Sequence, residues 1–380
     1  AIAIAILQPE IQMPAVTQFS DGSGPIFGGS IFPFVFITIA CGAISGFHAL
    51  ISSGTTPKLI DNEKHIPMIG YGGMLLESFV AIMAIVAACV LEPGIYFAIN
   101  SPAGIVGNEP SEVISKINSW GFSVSLEQMN QLASDVGEST LFARTGGAPS
   151  LAVGMATIFA NAFGKHLLAM WYHFAIMFEA VFILTTLDAG TRVGRFMLQD
   201  MFSNIHPKLG ETSWLPSIIL SSAIVVLCWG YFLYIGVIDP NGGVNILWPL
   251  FGIANQMLAA IALSVGTAIL IKTGRIKFAW ITIIPLTWLL IITTSAAYQK
   301  IFSDDIRIGF LASAQSMSNK IIEGNLSYDE IDILEKLIFN LKLDTGITIF
   351  LVSILWIVVF DVLRIATKQK DYELKEVANV

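Results

Sequence analysis

Four ionisable side chains, His48, Glu77, His173 and Glu179, stand inside long apolar runs, and Asp188 closes one of them. Such groups are costly in a bilayer and face a cavity or a partner. His48 belongs to the segment CGAISGFHALISSGTTPK. Gly42 and Gly46 form a small-xxx-small pair there, which lets a second backbone come close. Gly46, Gly54 and Pro57 weaken helical continuity, and Ser45, Ser52, Ser53, Thr55 and Thr56 supply hydroxyls. Broken helices in transporters use freed backbone groups and hydroxyls to hold substrates and ions. The alternative is a packed helix with Gly54 beyond its end and Pro57 opening the next element. Histidine is the side chain that exchanges a proton near neutral pH. His48 could therefore donate to a substrate carboxylate or carry charge; otherwise it is a core histidine bonding a neighbouring helix.

Glu77 follows YGGMLLE, about ten residues and about 15 Å of rise from the expected helix end. A carboxyl near mid-membrane protonates or finds a partner, for transport or as a structural bond. Glu179 and Thr186 are seven apart and share a helix face, as do His166 and His173. His173 and Glu179, six apart, point to different sides. Asp188, Arg192 and Arg195 form a charged stripe if their helix continues. Thr185, Thr186 and Asp188 could instead ligate a cation through oxygen. In LWPLFGIANQMLAAIAL, Pro249 and Gly252 precede the adjacent amides Asn255 and Gln256. Adjacent residues face different directions, so at least one of the two bonds another helix.

These residues need membrane-spanning elements to position them. The chain has 380 residues, 54% hydrophobic and 13% charged, where a soluble domain carries about a quarter charged. A span needs about 20 apolar residues, and the runs 31–53, 67–91, 166–188, 215–237, 246–271, 278–298 and 346–366 supply seven. A shorter run, 149–163, has the length of a re-entrant segment. The expected organisation is a transmembrane core over 1–298 with an external loop at 92–165, an extracytoplasmic amphipathic loop at 299–345, and a last span with its tail at 346–380. SEVISKINSW and DEIDILEKLIFNLKL, in the hydrophilic stretches 92–148 and 299–345, read as solvated or interfacial cap helices.

Lysine and arginine placement orients the spans. Lys58 and Lys64; Arg192, Arg195 and Lys208; Lys272, Arg275 and Lys277; and Arg364, Lys368, Lys370 and Lys375 mark one side, while 8–30 and 238–245 contain neither residue. The basic side is expected to be cytoplasmic, with the C-terminus. The opening AIAIAIL lacks a basic region and a cleavage site, so it reads as the exit end of a helix whose beginning is missing rather than as a signal peptide.

Several functions are disfavoured. The net charge of −8 comes mainly from acids in the two hydrophilic stretches, and no basic cluster suits nucleic acid. Cys41, Cys89 and Cys228 lie in apolar runs without disulfide or metal spacing. No P-loop or nucleotide fingerprint occurs. Energy would come from an ion gradient, with no cofactor or metal. HExxH, GxSxG and GxGD patterns are missing, which argues against an intramembrane enzyme.

SGPIFGGSIFPFVFITIACGAISGFHALISSGTTPK, TTLDAGTRVGRF and LWPLFGIANQMLAAIAL, spread over residues 23–262, resemble the carbon starvation protein A family of bacterial inner-membrane proteins. The resemblance implies a transporter of peptides or of pyruvate, the latter with protons, induced when carbon runs short. It also implies an all-α polytopic fold like the second half of a five-plus-five inverted-repeat transporter. Family members are much longer, so an N-terminal half carrying part of the binding site would be missing. The expected function is secondary uptake coupled to protons in preference to sodium. The expected pathway comprises Gly46, His48, Ser52, Ser53, Thr55, Thr56, Glu77, Glu179, Thr185, Thr186, Asp188, Asn255 and Gln256. Expected partners are membrane lipids, the small substrate and the missing half. The competing class is a nutrient sensor without transport of its own, against which stands the short tail after residue 366.

Overall fold

The computed structural model describes residues 2–26, 28–39, 42, 44–238, 244–324 and 327–378; residues 232, 235–238, 244–251, 329 and 367–378 are described by backbone alone. Cys41 and most of the expected 238–245 connection lie outside the described residues. The described residues form helices and connections, with no strand among them. In chain order the helices are α1 (Ile2–Leu7), α2 (Phe36–Ile39), α3 (Gly46–Leu50), α4 (Thr56–Leu59), α5 (Gly73–Cys89), α6 (Pro93–Asn100), α7 (Ala103–Val106) and α8 (Pro110–Ser119). There follow α9 (Leu126–Val136), α10 (Ala148–Phe163), α11 (Leu168–Ser203), α12 (Leu215–Ile238), α13 (Val244–Lys272), α14 (Trp280–Phe302), α15 (Phe310–Ile322) and α16 (Tyr328–Ala378).

Five helical stretches are long and apolar enough to cross a membrane: Glu63–Cys89, Lys165–Ser203, Gly252–Lys272, Trp280–Phe302 and Glu330–Ala366. The chain is thus an all-α polytopic membrane protein. The 166–188 run extends without interruption to Ser203, so Asp188, Arg192 and Arg195 ride on one helix, α11. The 31–53 run is broken into two helical pieces. The 149–163 run is the 16-residue α10. The 345/346 boundary has no counterpart in secondary structure, because α16 crosses it as one helix of 51 residues.

The chain divides into two compact units. The first comprises 1–28 and 60–191. Its α10 lies so close to α5 that a Cβ on Gly154 would overlap the Ala87 carbonyl. The hydrophilic stretch after α5 is more than a set of solvated helices. Phe97, Ile99, Val113, Ile117, Met129 and Leu141 join Tyr172 in a buried apolar cluster. Local sequence sets its helices. Ser125 and Gln128 form a reciprocal capping box on α9, and Gly137, at φ 78°, ends that helix in a left-handed turn. Beside this cluster Arg144 pairs with Glu138 at 3.0 Å.

The second unit comprises 29–59 and 192–380. Its centre is α13, which packs against α3, α14 and α16. Of the apolar window on Gly252–Lys272, 44% is buried, against 6% for Glu63–Cys89 in the first unit, which marks α13 as an interior helix of its own unit. Ile253, Gln256, Ala260, Ser264 and Thr267 bury one heptad-like stripe of α13, and Leu286, Leu289, Thr293, Ala296 and Lys300 bury the answering stripe of α14. After α14 the chain turns over Asp305, whose carboxylate takes bonds from Arg307 at 2.8 and 3.2 Å. Those side-chain bonds, with one from the Arg307 backbone, keep the Asp305 carboxyl below its usual pKa.

Candidate functional site

In the second unit α2 is described as far as Ile39, and α3 begins at Gly46. Ser45, extended at φ −111° and ψ 139°, is the N-cap of α3, and its hydroxyl accepts from the Phe47 N–H at 3.1 Å. The break therefore precedes Gly46; Gly54 and Pro57 do not interrupt the helix, as the glycine-and-proline reading expected. Helix continues through them by a wide π-type turn at Ile51–Thr55 that leads into α4. Proline lacks an N–H and crowds the carbonyl four residues back. The widened turn just ahead of Pro57 accommodates both defects.

One turn of α13 grips both sides of the break. On the far side, Gly252 meets Ile37: a Cβ on Gly252 would stand 2.7 Å from Ile37 Cγ2. On the near side, Asn255 Oδ1 accepts from the Ser45 hydroxyl at 3.0 Å and from the Phe47 N–H at 3.1 Å. Gly46 lies so close that a Cβ there would overlap the Asn255 carbonyl oxygen and Leu258 Cβ. Of the two adjacent amides, Asn255 is thus the one bonded to a neighbouring segment.

His48 follows in the first turn of α3 and is exposed within the chain. Ser52 and Ser53 both donate to the Ala49 carbonyl, at 3.0 and 2.8 Å. The Thr55 hydroxyl is buried and finds no partner among the described residues, whereas Thr56 is half-buried. Lys58, at the end of this segment, pairs with Asp200 at 3.2 Å and lies 4.7 Å from the Phe196 ring centre.

The other expected pathway residues belong to the first unit. Glu77 is exposed on α5. Glu179 is half-buried on α11, and its Oε2 has no partner among the described residues. Thr185 and Thr186 bond the Phe182 carbonyl at 2.6 and 3.3 Å, and Asp188 is exposed one turn on.

Sequence reasoning assigned Lys300 and Asp344 to a loop, yet both are buried, at 5% and 6% exposure. The Lys300 ammonium lies 5.3 Å from the Phe34 ring centre and 5.7 Å from that of Phe310. Its sequence signal was helical spacing, since Lys300 follows the buried Thr293 by seven residues. Asp344 likewise shares a face with Thr348 and Leu355, both fully buried.

The break presents a helix start, an imidazole and an amide in one place. Such groups can bind and release a carboxylate or move a proton. No group of three or more His, Cys, Asp or Glu side chains suited to a metal occurs among the described residues.

The family model for carbon starvation protein CstA matches residues 1–296. The peptide transporter CstA of Escherichia coli (strain K12) is 52% identical over 380 residues, covering 98% of this chain and 54% of the relative. The pyruvate/proton symporter BtsT of the same organism is 49% identical over 384 residues, covering 95% and 54%. The peptide transporter CstA of Mycobacterium tuberculosis (strain ATCC 25618 / H37Rv) is 48% identical over 346 residues, covering 87% and 46%. The chain spans about half the length of these curated relatives. No solved structure matches it.

Proposed function

The chain belongs to the carbon starvation protein CstA family, and we propose that, with a first half like that of its relatives, it forms a secondary active transporter for a peptide or pyruvate. It is not an enzyme in this reading. The observation that carries the proposal, beside the family, is the Asn255-held break ahead of Gly46, with His48 in the first turn beyond it. An interrupted helix whose backbone is clamped by a neighbour is the kind of element that secondary transporters use at their binding sites.

Uptake is coupled to protons, and His48 carries the exchanged proton. Glu77, Glu179 and Asp188 belong to the same pathway in the complete protein. The fold is the second half of a five-plus-five inverted repeat, with seven spans. The protein lies in a bacterial inner membrane with its C-terminus in the cytoplasm, and serves nutrient uptake during carbon starvation. Support for the proton comes from a relative at 49% identity that is named a pyruvate/proton symporter.

The test is uptake of labelled pyruvate and of a labelled dipeptide by the full-length protein in proteoliposomes, with and without an inward proton gradient. Gradient-driven accumulation of one of them is expected. Equal uptake with and without the gradient would remove the proton from the reading, and uptake of neither would remove both substrates.

A further inference from the structure

Thr267 of α13 and Thr282 of α14 are hydrogen-bonded through their hydroxyls at 2.8 Å, which fixes the register of two consecutive antiparallel helices. Gln256 stands eleven residues before Thr267, and Thr293 stands eleven after Thr282. Eleven residues make about three turns and about 16 Å of rise. Counted along the two helices, Gln256 and Thr293 therefore lie on the buried stripes of the bonded threonines and equally far from them, with Pro285 on the way along α14. The layers to either side are closed by apolar residues placed by the same register. Ala260 and Leu289 form one, and Ile253 and Ala296 the other, all at most 1% exposed.

Between those layers two fully buried polar side chains lack partners. Gln256 has 0% exposure, and neither its Nε2 nor its Oε1 is bonded among the described residues. Thr293 also has 0% exposure, and its hydroxyl is likewise unbonded. Thr55 and the adjacent Thr294 also carry buried hydroxyls unbonded among the described residues, but several threonines of this unit behave differently. Thr267, Thr282, Thr287, Thr345 and Thr348 each bond a carbonyl one turn back in their own helix, at 2.7 to 3.0 Å. The Thr293 hydroxyl is turned away from that option.

We propose that Gln256 and Thr293 are the polar walls of one enclosed site between α13 and α14, and that water fills it. The amide offers donors and an acceptor, and the hydroxyl offers one donor and acceptor lone pairs. Neither wall is charged, so the matching ligand is small, neutral and able to donate and accept together. Buried water in proteins occupies sites of this kind, bridging polar groups that would otherwise go unsatisfied. The site's position beside Asn255 puts an exchangeable hydrogen-bond partner on the turn of α13 that clamps the broken helix.

The test is hydroxyl-radical labelling of the full-length protein in lipid nanodiscs, with radicals generated from water by a synchrotron pulse. Met257, next to Gln256, and Met129, in the apolar cluster of the first unit, are each 1% exposed and serve as reporter and control. Water held at the site produces radicals beside Met257, so Met257 should be oxidised severalfold faster than Met129. Equal, slow oxidation of both would overturn the proposal. Melting temperatures supply a second readout. Gln256→Leu and Thr293→Val should each lower the melting temperature, and the double variant should recover most of the combined loss, because an apolar pair leaves no polar wall unsatisfied. Simple addition of the two losses would show that the walls do not share a site.

Discussion

Ser45 and Asn255, 210 residues apart in sequence, share a 3.0 Å hydrogen bond where the first apolar run resumes as helix. The same Asn255 oxygen takes the Phe47 N–H, so a single amide caps the half-helix from outside. Asn255→Ala leaves both donors without that acceptor in a buried place and should cost about 1–3 kcal/mol. Ser45→Ala should cost less, since Phe47 keeps its bond to Asn255. Thermal melting of the full-length variants in detergent checks the order. Equal melting of Asn255→Ala and the wild type would show that the cap is dispensable.

Two glycines of the same segment should answer oppositely to alanine. At Gly46 a methyl group meets the Asn255 carbonyl and Leu258, and overpacking of this sort costs about 1–3 kcal/mol. At Gly54 nothing lies within 4 Å of the new atom. Alanine is favoured over glycine in a helix interior by about 1 kcal/mol, so Gly54→Ala should be neutral to stabilising. A loss at Gly54 as large as at Gly46 would contradict the packing described.

His48→Gln keeps a hydrogen-bond donor and roughly the size of the ring but does not titrate. If His48 carries the coupled proton, the variant should lose the dependence of accumulation on external pH and retain counterflow exchange. Accumulation assays across a pH series in proteoliposomes measure this. An unchanged pH profile would shift the role to Glu77.

Asp305 gives a pH dependence of stability whose sign follows from its bonds. Arg307 lowers the folded-state pKa of the carboxyl below its unfolded value. The contribution is therefore present above the unfolded pKa and lost as pH falls through the folded one. For an ion pair this accessible to solvent it amounts to about 0.2–1 kcal/mol. Asp305→Asn should melt below wild type at neutral pH, and the difference should close in strong acid. A difference that widens on acidification would reverse the assignment.

The proposed topology is open to cysteine labelling in intact cells. Asp61→Cys and Lys277→Cys, at exposed positions, should react only with a reagent that crosses the membrane. Glu323→Cys, also exposed, should react with an impermeant one. Labelling of all three by the impermeant reagent would overturn the orientation.

The membrane helices were legible in sequence because a bilayer demands uninterrupted apolar runs, as Gly252–Lys272 and Trp280–Phe302 provide. The break was legible in kind and in part in place, since Gly46 stands beside Gly54 and Pro57 among the residues that weaken the helix and it is the one next to the break. Gly54 and Pro57 drew attention by residue type, while the deciding signal was the serine-glycine helix start at Ser45 and Gly46, stabilised by an asparagine far along the chain. Hydropathy falls where charge appears, so Lys300 and Asp344 look like loop residues in sequence. Their burial depends on Phe34 and Phe310 for one and on a helix face for the other. The cluster around Ile117 and Met129 was hidden for a related reason. Short amphipathic helices look alike in sequence whether their apolar sides meet lipid or one another.

The uninterrupted course of α16 has a mechanical meaning. At 1.5 Å per residue its 51 residues extend over about 75 Å, more than twice the thickness of a bilayer's hydrocarbon layer. A single helix of that length is a rod without a joint. Its amphipathic beginning, its apolar middle and its polar end lie on one continuous helix. The amphipathic stretch that begins near Tyr328 and the apolar stretch that follows it are thus joined with no loop between them to let one move apart from the other.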